Sequence, residues 1–410
     1  MNWPATRLRY VADLNPGVRA DLLQTPEVEV SFLPMDAIGE DGTLDLSRNR
    51  AVAEVRNGYS YFEEGDVAFA KVTPCFENGK GALMRGLELG AGFGTTEITV
   101  LRPKAGTEPR FLNYVLRSEQ FRQNGVGAMT GAGGLKRVPD EFTRDFKTPW
   151  PKHPEQERIA NFLDEQTARI DALIAEKERL SESVGALRAS TISEAVAVEG
   201  DSTWRRTRLK FLVQDIIDTE HKTVPFVDDG EYLVARTTNI KNGRLTLEGA
   251  KYTNAEGFEE WTRRAVPAPG DILFTREAPA GEACIVPHGI PLCLGQRTVL
   301  IRLKTDLANP SFVLWSLYGG LASRFISDLS QGSTVSHFNM PDIGNIPLFT
   351  GPLDQQAARA LALEEKLKQV DDLQLHVSEH IDRLREYRSS LISAAVTGQL
   401  DMSTAVSNFQ

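Results

Sequence analysis

Several features that mark particular classes of protein are scarce in this sequence. Its 410 residues include only three cysteines, Cys75, Cys284 and Cys293, which form neither a CxxC pair nor an even set. We therefore expect no disulfide framework and a reducing, cytoplasmic environment. No stretch approaches the roughly 18 uninterrupted apolar residues of a membrane span, and the first residues lack a basic segment followed by an apolar run, so neither membrane attachment nor export is expected.

A basic excess is also missing, since 46 Lys and Arg residues stand against 56 Asp and Glu residues, for a net charge of -10. This argues at first against a nucleic-acid binder. The acidic charge is concentrated, however, because residues 153–200 and 352–401 together carry a net charge of -8. The rest of the chain is close to neutral and can still present a basic face, so nucleic-acid binding stays open.

Motifs for catalysis are absent or stand in the wrong context. The sequence has no P-loop and no Asn/Asp-Pro-Pro-aromatic tetrapeptide of the kind that adenine methyltransferases use. The stretch "GAGFGTTE", residues 90–97, leads into a strand pattern rather than a helix, which is not the context of a phosphate-binding turn. "HVSEH", residues 376–380, has the form of an inverted zinc-peptidase motif, but a third ligand and a cavity are needed as well. We expect neither a metal site nor catalysis on this chain.

The most informative feature present is an internal repeat at a spacing of about 200 residues. Its matching pairs are "WPATRL" and "WRRTRL", "GDVAF" and "GDILF", "EITVLRPK" and "RTVLIRLK", and "RFLNYVL" and "SFVLWSL". In each copy, runs such as "GDVAFAKV", "TEITVLRP", "EYLVARTTNI" and "GDILFTRE" predict strands, and "PRFLNYVLRSEQFRQN" and "PSFVLWSLYGGLASRFISDL" predict helices. The sequence thus predicts two copies of one α+β domain.

Two long charged segments follow these domains and show a heptad pattern. With Leu163 at position a, the predicted core positions a and d are Leu163, Ile170, Leu173, Leu180, Val184 and Leu187 in the first segment, and Leu363, Val370, Leu373, Val377, Leu384, Tyr387 and Leu391 in the second. A stripe this narrow needs a partner stripe, and the other segment supplies one. We predict an antiparallel coiled coil with a pseudo-two-fold axis. The predicted divisions are domains at 1–152 and 201–351, helices at 153–200 and 352–401, and a tail at 402–410.

These repeated domains and helices carry a resemblance to a known family. On the strength of "HPEQERIANFLDEQTARIDALI", "LREYRSSLISAAVTGQLD", "GDILFTREAPAGEA" and "LGQRTVLIRL", the chain resembles the DNA-specificity (S) subunit of type I restriction-modification systems. It departs from the pattern where the second helix opens with "GPLDQQAARA" and where the first helix lacks the "TGQL" of the second.

The resemblance implies a non-enzymatic DNA-binding subunit in which two target-recognition domains read the halves of a bipartite, asymmetric sequence. Its implied partners are double-stranded DNA, two copies of an adenine-specific methyltransferase subunit and a restriction translocase-nuclease subunit. S-adenosylmethionine, ATP and Mg would act on those partners, with no cofactor on this chain. Two alternatives stay open: a specificity subunit of another methyltransferase-based defence system, and a coiled-coil scaffold that binds no DNA.

Contacts to DNA are expected from polar and basic side chains in loops, because these groups reach phosphate oxygens and base edges. Ordinary solvated loop polarity is the simpler explanation for any one of them. The candidates are Lys71, Thr73, Asn78, Lys80, Lys136 and Arg137 in the first copy, and Arg236, Thr237, Thr238, Asn239, Arg276, Ser333, Thr334, His337 and Asn339 in the second.

Overall fold

The computed structural model describes residues 3–219, 222–277, 279–331 and 338–400. These residues form two compact units, one from residues 3–178 and 379–400 and the other from the described residues of 179–378. Each unit therefore contains one copy of the sheet-bearing domain and part of each long helix. Among the described residues, no helix is long and apolar enough to cross a membrane.

The first unit begins with strands and short helices and ends in the first long helix. Its strands are β1 Ala5–Arg7, β2 Ala12–Leu14, β3 Glu29–Leu33, β4 Asn49–Ala51, β5 Ser60–Glu63, β6 Val67–Ala70, β7 Gly81–Leu83, β8 Ala91–Gly94, β9 Ile98–Pro103, β10 Thr130–Ala132, β11 Leu135–Arg137 and β12 Lys147–Pro149. Its helices are α1 Ala20–Gln24, α2 Val52–Val55, α3 Pro109–Arg117, α4 Glu119–Ala128, α5 Asp140–Asp145 and the first part of α6 His153–Val196.

The second unit follows the same plan. Its strands are β13 Arg205–Arg208, β14 Val213–Asp218, β15 Tyr232–Ala235, β16 Ile240–Lys241, β17 Arg244–Leu245, β18 Lys251–Thr253, β19 Ile272–Thr275, β20 Ala283–Ile285, β21 Leu292–Leu294, β22 Thr298–Leu303 and β23 Pro347–Thr350. Its helices are α7 Leu209–Leu212, α8 Ala255–Trp261, α9 Pro310–Tyr318, α10 Gly320–Gln331, α11 Met340–Asn345 and the first part of α12 Leu353–Val396.

The repeat extends from sequence to strand order. An antiparallel sheet runs β2-β9-β6-β7 in the first unit and β14-β22-β19-β20 in the second. A second sheet contains one parallel pair in each unit, β3 with β8 and β15 with β21. A two-stranded ribbon, β1 with β12 or β13 with β23, brings the start of each copy beside the entry to its long helix. The mixed helix-and-strand fold predicted from the sequence is confirmed.

In each copy, the sequence predicted a single helix after the strands, and the structure has two helices there, α3 and α4 in the first copy and α9 and α10 in the second. Between α3 and α4 the backbone of Ser118 is extended, and its hydroxyl accepts a hydrogen bond from the Phe121 N–H, so it caps the second helix. Between α9 and α10 the extended residue is Gly319. A Cβ at this position would lie 2.9 Å from a methyl carbon of Val196, so α9 and α10 meet α6 too closely for a side chain.

A buried ion pair explains why Gly-Asp and Arg recur in both copies. Asp66, 2% exposed, accepts two hydrogen bonds from the guanidinium of Arg102, at 2.9 and 2.8 Å. In the second copy Asp271, 5% exposed, accepts from Arg302 at distances down to 2.6 Å. Each pair ties the first strand of the repeated motif to the neighbouring strand of the same sheet.

A buried glutamine fixes the start of the first long helix. The side-chain oxygen of Gln156 accepts from the Glu108 N–H at 2.8 Å, and its amide donates to the carbonyls of Pro151 at 2.8 Å and Gly106 at 3.4 Å. Because Gln156 is 1% exposed, water does not compete for these bonds. The helix is thereby attached to the segment that precedes α3.

Gln356 repeats this arrangement at the start of α12. It accepts from the Asn309 N–H at 2.9 Å and donates to the carbonyls of Gly351 at 2.8 Å and Leu307 at 3.1 Å. The same three groups of the repeat are used 200 or 201 residues later. The opening of each helix is therefore conserved within the chain as an attachment to its own domain.

Within each unit, parts of the two long helices contact each other in opposite directions. In the first unit, Asp171 bonds to Arg388 at 2.8 Å and Glu178 to Arg385 at 2.9 Å. In the second unit, Ser181 accepts from Gln374 at 2.6 Å, and Arg188 bonds to Asp371 at 2.9 Å. Since residue numbers rise along one helix as they fall along the other, the local pairing is antiparallel.

The predicted a positions of the heptad pattern are covered, but most of the predicted d positions are not. Leu163, Ile170, Val184, Leu363, Val377 and Leu391 are buried, and Val370 and Leu384 are half-buried. The prediction is wrong for Leu173, Leu180, Leu187, Leu373 and Tyr387, which are 39–51% exposed.

The helices turn a different face inward. The second covered row lies one residue beyond d and consists of Thr167, Ile174, Ser181 and Arg188 in α6, and Leu367, Gln374, Ile381 and Arg388 in α12. Several of these side chains are polar, and they are accommodated because they bond across the helix pair. Spacings of four and three residues define this row as well as the predicted row, so spacing alone does not choose between them.

Candidate nucleic-acid interface

A β-hairpin projects from the first unit after α4. Strands β10 and β11 pair from Thr130 with Arg137 to Ala132 with Leu135, which leaves a two-residue turn. Gly133 and Gly134 form that turn with φ of 65° and 82°, values that require glycine or a similarly tolerant residue and match the twist of a tight hairpin. Every residue of 130–137 is exposed.

The hairpin brings four of the predicted DNA-contacting residues together. The Thr73 N–H donates to the carbonyl of Lys136 at 3.0 Å, and the Val138 N–H donates to the carbonyl of Lys71 at 2.8 Å. Lys71, Thr73, Lys136 and Arg137 therefore share one surface although they are about 65 residues apart in the chain. We call these four residues the hairpin patch.

One basic group of the hairpin patch is already paired. The Arg137 guanidinium donates to both oxygens of Glu97, at 2.7 and 2.8 Å. This hydrogen bonding holds the pKa of the Glu97 carboxyl below its ordinary value, and the charge of Lys71 acts in the same direction. Lys136 is exposed, so its ammonium group faces solvent. The hairpin patch thus presents the exposed ammonium group of Lys136 beside the Arg137–Glu97 ion pair, in which another anion can replace the carboxylate.

Asn78 and Lys80 are engaged elsewhere in the first unit. The Asn78 amide donates to the Glu40 carboxylate at 2.9 Å. The Lys80 ammonium group is half-buried and donates to the Met35 carbonyl at 3.1 Å. Both side chains therefore bind the segment after β3.

In the second unit, Asn239 does not face solvent. Its side chain is 0% exposed, accepts from the Arg236 N–H and donates to the carbonyls of Thr246 and Glu248. The expectation that Asn239 contacts DNA is wrong, because its polar atoms satisfy the backbone of a buried turn. Arg236 is half-buried and donates to the Gly249 carbonyl, Thr237 is half-buried, and Thr238 is exposed.

Arg276 is likewise internal. It is 6% exposed, and its guanidinium donates to the Asp218 carboxylate at 2.7 Å and to the Phe338 carbonyl at 2.9 Å. This placement contradicts a direct contact with DNA. Arg276 instead attaches the end of β19 to β14 and to the segment that precedes α11.

The remaining second-copy candidates follow α10, in the place that the hairpin occupies after α4. Ser333, Thr334 and His337 lie outside the described residues. Asn339 is exposed, and its N–H donates to the Asp342 carboxylate at 3.0 Å at the start of α11.

The structure also exposes an arginine-containing surface that the sequence predictions missed, in which Arg48 is paired with Asp36 at 2.8 Å and Arg50 with Glu54 at 3.7 Å. Residues 48–59, which include β4 and α2, contain three arginines and two asparagines with one glutamate. The guanidinium of Arg50 lies 4.8 Å from the centre of the Phe32 ring, and the Tyr59 ring meets the same phenylalanine edge-on at 5.2 Å. Tyr59 is 40% exposed. The local run of Arg and Asn was the signal available in the sequence.

One group of potential metal ligands is present among the described residues. Glu108, His153 and Glu157 place ligand atoms within 4.8 Å of one another. Glu108 is already paired with Arg110 at 2.5 Å, and the positive end of the α6 dipole disfavours a cation there. His376 and His380 are both exposed on α12. We assign no metal site to either group.

Comparison with known proteins finds relatives among the subunits of type I restriction enzymes. No family model matches the chain. The EcoAI specificity subunit, a type I restriction enzyme component of Escherichia coli, is 40% identical over 160 residues, which cover 38% of this chain and 26% of that protein. The EcoEI specificity subunit of the same species is 36% identical over 174 residues, covering 42% and 29% respectively. The chain is related to type I restriction enzyme specificity subunits.

These two specificity subunits match over much less than two thirds of their own length, between a quarter and a third. The EcoKI specificity subunit of Escherichia coli strain K12 is 20% identical over 316 residues, covering 73% of this chain and 68% of that protein.

Two solved structures share the fold over nearly the whole chain. A chain from a structural study of complex assembly and conformational transition in the type I R-M system has a TM-score of 0.75 and 20% identity, covering 97% of this chain and 98% of its own. The HsdS subunit from Thermoanaerobacter tengcongensis has a TM-score of 0.50 and 20% identity, covering 97% of both chains.

Proposed function

We propose that this chain is the DNA-sequence-reading subunit of a type I restriction-modification complex. The observation that carries the proposal is that the two copies agree in their buried frame and differ in the sequence that follows α4 in the first copy and α10 in the second. The Asp66–Arg102 pair has its counterpart in Asp271–Arg302. The segment after α4, "TGAGGLKR", is exposed, and the corresponding stretch of the second-copy sequence reads "SQGSTVSH". One frame with two unlike sequences at this place fits two recognition domains that read two unlike half-sites.

The long helices serve in this proposal as the spacer between half-sites. Each contains 44 residues, which corresponds to about 66 Å of α-helix. We infer that they form one antiparallel coiled coil that relates the two recognition domains by a pseudo-two-fold axis. A protein with two recognition domains at a fixed separation needs half-sites at a fixed spacing on the duplex.

Chemistry is assigned in this proposal to partner subunits. An adenine-specific methyltransferase subunit, in two copies, would transfer the methyl group from S-adenosylmethionine. A translocase-nuclease subunit would use ATP and Mg. This chain would hold those subunits and select the sequence, and it would carry no catalytic residue. Support comes from the related specificity subunits and from the absence of catalytic motifs in the sequence.

The salt dependence of DNA binding tests the role of the hairpin patch. Each phosphate contact that is lost should reduce the slope of log affinity against log salt by about 0.9. We expect Lys136→Ala, measured in the complex with its methyltransferase partner, to flatten that slope by about one contact. Glu97→Gln should tighten binding, because it removes a carboxylate that competes with phosphate for Arg137.

Lys366→Ala is the matched control, because Lys366 is also exposed but lies on α12. It should leave the slope unchanged. An unchanged slope for Lys136→Ala, with DNA binding otherwise intact, would remove the hairpin from the interface. Binding without any dependence on salt would contradict a DNA-reading role for the complex.

A further inference from the structure

A cleft of about 700 Å³ opens within the first unit between its sheet-bearing part and the long helices. Four arginines line it: Arg117 from the end of α3, Arg122 from α4, and Arg385 and Arg388 from α12. The hairpin patch contributes no residue to its lining. The cleft is therefore a separate cluster of arginines, and four carboxylates, Glu40, Asp41, Asp171 and Glu178, line it as well.

The carboxylates that line this cleft already have hydrogen-bond or ion-pair partners. The pairs are Asp171 with Arg388, Glu178 with Arg385, Glu40 with Asn78, and Asp41 with Thr43. The distances lie between 2.7 and 2.9 Å. Each acidic group is thus oriented toward its own partner.

Arg117 differs from these paired groups in the lining of the cleft. Among the described residues, no hydrogen bond or ion pair involves its half-buried guanidinium, which has five donors. The guanidinium lies against the backbone of Gly42, where an added Cβ would come within 2.8 Å of Nη1. The last turn of a helix favours a cation, which explains why the charge is tolerated there but leaves its donors without acceptors.

A second cation beside Arg117 makes this arrangement costly. Burial lowers the pKa of Arg117 to about 10, and the charge of Arg388 acts in the same direction, against longer-range attraction from Tyr114, Asp171 and Asp41. Arg122 is also half-buried, and burial lowers its pKa. Its guanidinium donates to the Glu77 carbonyl. Cationic groups are thus gathered in a partly desolvated space where an anion would relieve their repulsion.

The second copy has a different residue, with hydrogen-bond partners, at the position equivalent to Arg117. Tyr318 stands where the first copy has Arg117, at the end of α9, and its hydroxyl bonds to the Glu282 carboxylate at 2.8 Å and to the Gly243 N–H at 2.9 Å. Arg188, the counterpart of Arg388, bonds to Asp371. The unpaired guanidinium is therefore particular to the first copy and is not part of the repeated frame.

We propose that this cleft binds one compact oxyanion, a phosphate group, on the guanidinium of Arg117 with Arg122 and Arg388 beside it. A guanidinium matches the planar pair of oxygens that a phosphate presents. A DNA duplex does not fit a cleft of this volume. The occupant is therefore a free phosphate ion or the phosphate of a nucleotide, and its effect is to tie α3 to α12.

Calorimetric titration of the full-length chain tests this proposal, with inorganic phosphate and AMP as probes at ionic strength held constant with chloride. We expect saturable binding of one phosphate group per chain and at least a tenfold loss of affinity in Arg117→Gln. Arg117→Lys should be intermediate, since it keeps the charge but loses the fork of donors. Arg263→Gln, at an exposed arginine of the second unit and therefore outside the cleft, is the control and should bind as the wild type does.

Thermal unfolding separates an anion site from a packing role. Without phosphate, Arg117→Gln should melt at the wild-type temperature or above it, because a poorly compensated charge is removed. Added phosphate should raise the midpoint of the wild type but not that of the variant. Tighter binding of AMP than of phosphate identifies a nucleotide as the occupant, and equal binding identifies the free ion. Absence of saturable binding, or equal binding to Arg117→Gln and wild type, overturns the proposal.

Discussion

Replacing the buried glutamine at the start of either long helix should loosen one unit and spare the other. Gln156→Met and Gln356→Met keep the side-chain length but remove three hydrogen bonds each. Each replacement leaves one N–H and two carbonyls without their partner in a buried place, at about 1 to 1.5 kcal/mol for each group. The free energy of opening should fall by about 3 to 4 kcal/mol.

Hydrogen exchange followed by mass spectrometry measures this effect separately in each unit. A loss of about 3 to 4 kcal/mol corresponds to exchange roughly 100- to 700-fold faster for amides that open with the unit. For Gln156→Met, this acceleration should appear in peptides of the first unit and be absent from β14, β19 and β22. For Gln356→Met, the pattern should reverse.

Gln369→Met provides the matched control, because Gln369 is an exposed glutamine on α12. It should exchange as the wild type does. If Gln156→Met accelerates exchange no more than Gln369→Met, the buried glutamine does not hold the helix. If either buried variant loosens both units equally, the division of the chain into two units that open separately is wrong.

Three further predictions concern the buried frame and the helices. Asp271→Asn should cost about 3 to 5 kcal/mol in urea unfolding, because it leaves a partly buried arginine without its carboxylate, and Asp66→Asn should cost less, because Arg102 keeps its ion pair with Glu63 at 3.0 Å; a cost below about 1 kcal/mol for Asp271→Asn would refute the structural role of the repeated Gly-Asp. Leu173→Ser should change stability by less than about 1 kcal/mol, whereas Val184→Ala should cost about 1 to 2.5 kcal/mol; the reverse order would restore the predicted d positions. Inserting seven residues both after Val184 and before Gln374 should widen the gap between methylated half-sites by about three base pairs, from about 10 Å of added helix; an unchanged gap in methylated DNA would contradict the spacer role.

Much of the frame was predictable because it depends on patterns that repeat along the chain. The internal repeat and the two long helices are confirmed, although the helices end at Val196 and Val396, before the predicted ends at 200 and 401. The breaks at Ser118 and Gly319 were not predicted, since the apolar pattern continues across them while the backbone turns to cap one helix or to approach another.

The heptad pattern predicted the wrong inward face of the long helices, and the cause is physical. The polar character of some helix residues predicts that they face solvent, yet they bond across the helix pair; these residues are Ser181, Gln374 and Arg188. Leu173 and Leu180 read as core residues, yet they are exposed. Spacing predicts a stripe, but the choice between neighbouring stripes depends on which polar groups find partners in three dimensions.

The candidate site was predictable in part for the same reason. The hairpin patch joins residues that the sequence had singled out, and the backbone pairing of residues 71–73 with 136–138 brings them together. Asn239 and Arg276 have the residue types of DNA contacts but serve buried neighbours instead. A polar loop residue is equally suited to satisfying buried backbone groups and to binding a ligand, and only burial separates the two roles.

Two unlike recognition domains that read two unlike half-sites at a fixed distance should leave a split pattern of methylation in DNA. We would express the chain with its neighbouring methyltransferase subunit in a methylation-free host and sequence the genomic DNA for modified adenines. We expect a bipartite, asymmetric motif with a gap of constant length. A continuous motif, or no modified motif from two soluble and associated subunits, would contradict it.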